Sequence, residues 1–71
     1  MRYAIIIEKG ESSFGAYVPD LPGCVAAAES REEAKRLIQE AIEFHIEGLT
    51  EDGQPVPAPN SEAEYIEVQT A

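Results

Sequence analysis

One long helical pattern, SREEAKRLIQEAIEFHIEGL (30–49), most constrains how this chain can fold. Apolar residues recur in it at three- and four-residue spacing, which is typical of a helix that buries one face. Ser30 and Glu33 form a capping box, in which each side chain satisfies a free backbone N–H at the start of the helix. Gly53 predicts a left-handed cap, so we expect the helix to end near Glu51. The rest of the chain must supply the surface against which this single helix packs.

Three short segments before the helix are rich in β-branched or small apolar residues and predict strands. They are Arg2–Lys9, Phe14–Val18 and Val25–Glu29, which short turns join into an antiparallel meander. After the helix, Glu64–Thr70 alternates polar and apolar residues and predicts a fourth, half-buried strand. A helical crossover makes this strand parallel to the first. The predicted fold is therefore α+β, in the order β-β-β-α-β, with sheet order 3-2-1-4 and one helix on one face.

Two proline-rich segments separate these elements. VPDLPGC (18–24) fits a type I turn followed by a type II turn, whose glycine supplies the positive φ. QPVPAPN (54–60) has no helix or ladder potential and predicts an extended surface connector. The first segment either only links two strands or forms a rigid rim that presents Asp20 and Leu21 to a partner, since loops on rigid scaffolds often carry function.

The small size of the chain favours association. A single domain of 71 residues buries only about 60% of the surface that its unfolded chain exposes. The first strand is apolar on both faces, whereas one helix covers only one face of the sheet. We therefore expect a homo-oligomer, most simply a two-fold dimer. The expected interface residues are Tyr3, Ala4, Ile5, Ile6 and Ile7.

The charge of the chain limits its partners. Five Lys and Arg against fourteen Asp and Glu give a formal net charge of −9, and residues 37–71 contain no Lys or Arg. Such a surface repels phosphate backbones, so we expect no direct nucleic-acid binding by this chain. The acidity either attracts a basic partner or only keeps a small domain soluble.

Three glutamates on the predicted helix form a possible docking strip. Glu40, Glu43 and Glu47 recur at three- and four-residue spacing, which places them on one side of the helix. We expect no basic neighbour within the helix to pair with them. This row is either a solvated face or a surface that receives Lys and Arg side chains of a basic protein.

The sequence lacks the residue combinations of an active site. Cys24 and His45 are the only cysteine and histidine, and we interpret them as a core thiol and a half-buried helical side chain. A zinc site needs more ligands, and the carboxylates do not converge as a two-metal nuclease requires. We expect no catalysis, no metal and no cofactor. The single cysteine, the lack of a signal peptide and the lack of an apolar run of ~18 residues indicate a cytoplasmic protein without a membrane span.

The order and spacing of these motifs resemble the HicB-like antitoxin family. The matching features are the short apolar first strand, PDLPGC (19–24), SREEA (30–34) at the start of the helix, and IEGLTEDGQPVPAP (46–59). The resemblance covers nearly the whole chain, from about residue 3 to residue 68. It implies a partial ribonuclease-H-like fold. It also implies that the chain neutralises a small basic HicA-type toxin, an mRNA-cleaving nuclease, by covering its active site.

On this resemblance, the chain is a single HicB-like antitoxin domain (1–71). Many members add a C-terminal DNA-binding domain, which we do not expect in this chain. The partner contacts are expected at Asp20, Leu21, Glu40, Glu43 and Glu47. The alternative is an orphan member, a homo-oligomeric regulatory or interaction module without a toxin partner.

Overall fold

The computed structural model describes residues 1–70 and contains three strands followed by one helix. Their bounds are β1 Ile6–Lys9, β2 Phe14–Tyr17, β3 Val25–Ala28 and α1 Arg31–Glu51. β2 pairs antiparallel with both other strands, so the sheet order is β1-β2-β3. α1 packs on one face of this sheet and closes a small core.

The two faces of the sheet differ because side chains alternate along each strand. Ala16, opposite Ile7 in β1 and Ala26 in β3, belongs to the face that α1 covers. The next row, Ile6, Tyr17 and Val25, points to the opposite face. Of these, Tyr17 is 40% exposed and Val25 is 65% exposed. A partly apolar sheet face therefore remains uncovered by the helix.

The predicted bounds of the helix are confirmed. The Ser30 hydroxyl accepts a hydrogen bond from the Glu33 N–H at 3.1 Å, so Ser30 is the N-cap. Gly53 has φ +68 and its N–H donates to the carbonyl of Thr50, which ends the helix after Glu51. Ile38, near the centre of the helix, is only 1% exposed.

The segment between β2 and β3 is the predicted pair of turns. The Leu21 N–H donates to the Val18 carbonyl, and the Cys24 N–H donates to the Leu21 carbonyl, both at 3.1 Å. Gly23 has φ +84, the left-handed conformation that a type II turn requires at this position. Leu21, at the junction of the turns, is completely buried. The joint therefore closes the end of the core as well as connecting two strands.

The predicted fourth strand is wrong, and so is the sheet order 3-2-1-4 with a parallel strand. Within residues 1–70 the sheet has three strands, and residues 54–70 pair with none of them. A strand forms only where its backbone pairs with a neighbouring strand, and the adjacent apolar residues Tyr65 and Ile66 do not hold this segment against the sheet. Their side chains are 96% and 82% exposed. The resemblance implied a partial ribonuclease-H-like sheet that includes this strand. The sheet of residues 1–70 does not contain it.

β1 is also shorter than the predicted strand Arg2–Lys9. It begins at Ile6, which lies opposite Tyr17 at the end of β2. Continuing the same register would place residues 2–5 opposite residues 18–21, which form the turns. Because those residues leave the strand conformation, the first residues of the chain lack a partner for ladder hydrogen bonds.

Candidate partner-binding surface

The outer face of α1 carries the predicted acidic strip. Glu40, Glu43 and Glu47 are all exposed. At 100° per residue, Glu47 lies on the side of the helix opposite the buried Ile38. Glu40 and Glu47 therefore point away from the sheet, and Glu43 is exposed beside them, where it also borders a hollow lined by Ile5.

An exposed aromatic residue lies beside this strip. Phe44 is 79% exposed, and it follows Glu40 by four residues and precedes Glu47 by three. Residues at these spacings are neighbours on a helix surface. We name the residues Glu40, Glu43, Phe44 and Glu47 the acidic–aromatic face. The sequence analysis missed Phe44, although its position outside the apolar stripe of the helix was a usable signal.

One of the three glutamates is paired, contrary to the sequence-based expectation. Arg36 Nη1 lies 2.8 Å from Glu40 Oε2, at the i, i+4 spacing of a helical ion pair. The expectation overlooked this spacing. It is the one ion pair within residues 1–70, so Glu43 and Glu47 have no basic side chain within 4 Å there. Both side chains are about 60% exposed, so the pair contributes only about 0.3–0.5 kcal/mol.

Asp20 holds the connector that follows the helix. Its Oδ2 accepts hydrogen bonds from the N–H groups of Asn60 at 2.9 Å and Ser61 at 2.8 Å, and its Oδ1 accepts one from the Ser61 hydroxyl at 2.8 Å. These bonds, led by those from Ser61, hold the pKa of Asp20 below its usual value. We name this contact the Asp20 latch. Neighbouring Leu21 is buried, so the partner contacts expected at these two residues remain predictions.

The five residues expected in an oligomer interface fall on both faces of the sheet. Tyr3, Ile5 and Ile7 pack against the core under α1, although each is only partly buried. Ala4 and Ile6 alternate with them and belong to the open face. The Tyr3 hydroxyl donates a hydrogen bond to the carbonyl of Pro57, which is a second contact between the start of the chain and the connector.

The structure offers little for catalysis. Within residues 1–70, no three His, Cys, Asp or Glu side chains form a group that could hold a metal ion. Cys24 is 4% exposed, and burial raises the pKa of its thiol, which opposes formation of the nucleophilic thiolate. In the same part of the chain, no helix is both long enough and apolar enough to cross a membrane.

Comparison with known proteins matches almost the whole chain to one family. The family described as the HicB-like antitoxin of bacterial toxin–antitoxin systems matches residues 3–70. A UPF0150 protein of Thermoplasma acidophilum is 38% identical over 63 residues, which are 87% of this chain and 91% of that protein. Antitoxin HicB 2 of Photorhabdus laumondii is 30% identical over 69 residues, which are 96% of this chain and 50% of that protein.

Two further similarities extend this comparison. An uncharacterized 14.9 kDa protein of Haemophilus phage HP1 is 44% identical over 66 residues, 93% of this chain and 50% of that protein. The chain thus spans half the length of the phage and Photorhabdus relatives. A chain of the solved HicA3 and HicB3 toxin–antitoxin complex matches with a TM-score of 0.72 and 35% identity, over 84% of this chain and 70% of that one.

Proposed function

The chain belongs to the HicB-like antitoxin family, and on that basis we propose that it binds and neutralises a small basic toxin of HicA type. The family assignment confirms the resemblance identified from the sequence. Members of the family are non-enzymatic binding proteins of toxin–antitoxin complexes, which agrees with the prediction that the chain is not an enzyme. Which surface contacts the toxin, and how it blocks the toxin, belong to the proposal.

The observation that carries the proposed contact is the acidic–aromatic face of α1. Glu43 and Glu47 are exposed without basic neighbours, and Phe44 is 79% exposed beside them. An enzyme that cleaves mRNA needs Lys and Arg side chains to hold the phosphate backbone. A row of carboxylates can occupy those same side chains and so compete with RNA for the active site.

The charges and the aromatic residue contribute differently to such a contact. Exposed carboxylates at the rim of an interface mainly speed association and set the salt dependence of binding. A buried aromatic anchor more often carries the binding energy, and truncation of such a residue typically costs 2 kcal/mol or more. We assign the anchoring role to Phe44 and the steering role to Glu43 and Glu47. Asp20 contributes to the proposed contact indirectly, by holding the connector and the turns in place through the latch.

We also propose that the protein is a homo-oligomer whose interface includes β1 and the residues before it (3–7). Exposed apolar side chains outside the core support this, namely Tyr17 and Val25 on the open sheet face and Tyr65, Ile66 and Val68 near the end of the chain. The same observation favours the alternative function of an orphan homo-oligomeric module without a toxin.

A cytoplasmic location is part of the proposal, because mRNA is the substrate of the proposed partner.

The direct test uses the product of an adjacent short gene that encodes a basic protein of roughly 60–90 residues, a partner whose positive charge complements this chain. We expect the two proteins to purify together and the RNA cleavage by the basic protein to stop at equimolar antitoxin. A Phe44→Ala variant should inhibit at least tenfold less well, whereas Glu11→Lys, in the turn between β1 and β2, should inhibit normally. RNA cleavage unaffected by the wild-type chain would refute the proposal in favour of the orphan module.

A further inference from the structure

An open groove lies between β1 and the side of α1 that faces it. Two adjoining hollows, of about 540 and 440 Å³, share Ile5 and Lys35 among their lining residues. The remaining side chains that the argument uses are Ile7, Ile38, Ile42 and Arg31. The groove thus has isoleucines along its length, with Lys35 shared by both hollows, Arg31 in the smaller hollow and Glu43 in the larger one. We name it the β1 groove.

The groove is open because the helix does not cover the sheet evenly. α1 packs mainly on β3 and β2 and only slightly on β1. β1 is also an edge strand, so one side of its backbone has no strand partner within residues 1–70. Unpaired edges of this kind readily accept a further extended segment, because their N–H and C=O groups are free to bond.

Residues 62–70 have an apolar and acidic composition that complements the β1 groove. Residues 62–70, which we name the arm, form no helix or strand, and Tyr65, Ile66 and Val68 are 96%, 82% and 73% exposed. The arm carries three glutamates and no basic residue. It is therefore apolar and acidic, whereas the smaller hollow of the β1 groove is lined by isoleucines and the basic side chains of Arg31 and Lys35.

The start of the arm is fixed beside one end of the groove. The Asp20 latch holds Ser61, and Glu62 and Ala63 line a third hollow together with Tyr3, just before β1. From there the arm passes beside the groove of its own chain without being buried in it, since Tyr65 borders that groove and stays 96% exposed. The molecule measures 52 × 26 × 16 Å, with a radius of gyration of 14.2 Å, against about 11 Å for a compact domain of this length.

We propose that the arm of one copy docks in the β1 groove of a second copy, and that the exchange is reciprocal. Extended, nine residues reach about 30 Å, enough to cross to a neighbouring subunit. Docking would bury Tyr65 and Ile66 against the isoleucines and place the arm's glutamates near Arg31 and Lys35. A reciprocal exchange uses the same two surfaces on both copies and so closes as a two-fold dimer. This inference rests on the proposed homo-oligomer and is independent of the toxin.

Two measurements on the full chain separate the arm exchange from association in general. Sedimentation at tens of micromolar should show a dimer, which a Tyr65→Ala, Ile66→Ala double variant weakens at least tenfold. Phe44→Ala removes another exposed aromatic residue, on the outer face of α1, and should leave the dimer intact. A wild-type monomer would refute both the homo-oligomer and the arm exchange.

Disulfide trapping then identifies the occupant of the groove. Chains with Ile66→Cys and differently tagged chains with Lys35→Cys are mixed and mildly oxidised, while the native Cys24 stays buried. We expect a cross-linked pair of unlike chains, and none when Glu11→Cys replaces Lys35→Cys. A sedimentation dimer without this cross-link would refute the exchange but keep the homo-oligomer. An internal disulfide alone in a chain carrying both cysteines would show that the arm occupies its own groove, and would also refute the exchange.

Discussion

At the scale of single residues, Asp20 connects two parts of the chain that are forty positions apart. Its carboxylate accepts three hydrogen bonds from Asn60 and Ser61, so its ionised form stabilises the latch. No local pattern in VPDLPGC (18–24) could reveal this role, because the donors lie in a proline-rich connector whose path depends on tertiary structure. The turns around Asp20 were predictable, since proline and glycine fix their own backbone angles.

The latch makes a prediction about pH. A carboxylate whose pKa is lower in the folded state contributes stability above its unfolded pKa of about 3.9 and loses it as pH falls through the folded value. We therefore expect the Ser61 amide resonance to shift as the pH falls through the lowered pKa of Asp20. An Asp20→Asn variant should show no such transition. The same acid transition at Ser61 in both proteins would contradict the latch.

Leu21 makes a second prediction at this scale. The side chain is completely buried at the junction of two turns, where the rigid backbone limits collapse around a cavity. Leu21→Ala should lower the free energy of unfolding by about 2–5 kcal/mol, measured by urea denaturation. Val25→Ala, at a position that is 65% exposed, is the control and should cost much less. Equal losses in the two variants would mean that the joint does not close the core.

At the scale of elements, the predicted helix bounds and turns, which depended on local sequence signals, were correct, whereas the predicted fourth strand, which depended on a tertiary contact, was wrong. α1 was predictable at both ends, because its capping residues and its apolar period are local to the helix in the sequence. The segment 64–70 was mispredicted as a strand, because a strand also needs a partner with which to pair. In the structure, the connector is held by Asp20 and Tyr3 before that segment begins, and the arm stays exposed. The pairing of Arg36 with Glu40 was visible in the spacing and was overlooked.

The N-cap of α1 gives a prediction for this element. The Ser30 hydroxyl accepts the Glu33 N–H, which would otherwise lack a partner at the start of the helix. Ser30→Ala should cost about 1 kcal/mol of stability in thermal or urea unfolding, a large share for so small a core. The matched control is Ser12→Ala in the exposed turn after β1, which should change stability by less than about 0.5 kcal/mol. A loss at Ser30 no larger than that at Ser12 would contradict the capping role.

At the scale of the whole molecule, charge decides which partners the chain can bind. The formal net charge is −9, and after Arg36 the sequence contains no Lys or Arg. We expect no mobility shift of the DNA upstream of its own gene by this chain at ~100 mM salt, because non-specific binding needs clustered basic residues. A shift at micromolar protein would contradict this prediction. The net negative charge could be predicted from the sequence. That the acidic residues lie on two distinct surfaces, the acidic–aromatic face of α1 and the arm, became evident only from the structure.

The measurement that tests the central claim most directly is the affinity of this chain for the proposed basic toxin, with the acidic–aromatic face altered. A Glu43→Lys, Glu47→Lys double variant should weaken binding at least tenfold in titration calorimetry, and added salt should weaken the wild-type complex. A Glu8→Lys, Glu11→Lys variant, with the same change in net charge placed in β1 and the turn after it, should bind nearly as tightly as wild type. Unchanged affinity in the helix variant, or equal losses in both variants, would contradict the claim that the outer face of α1 receives the toxin.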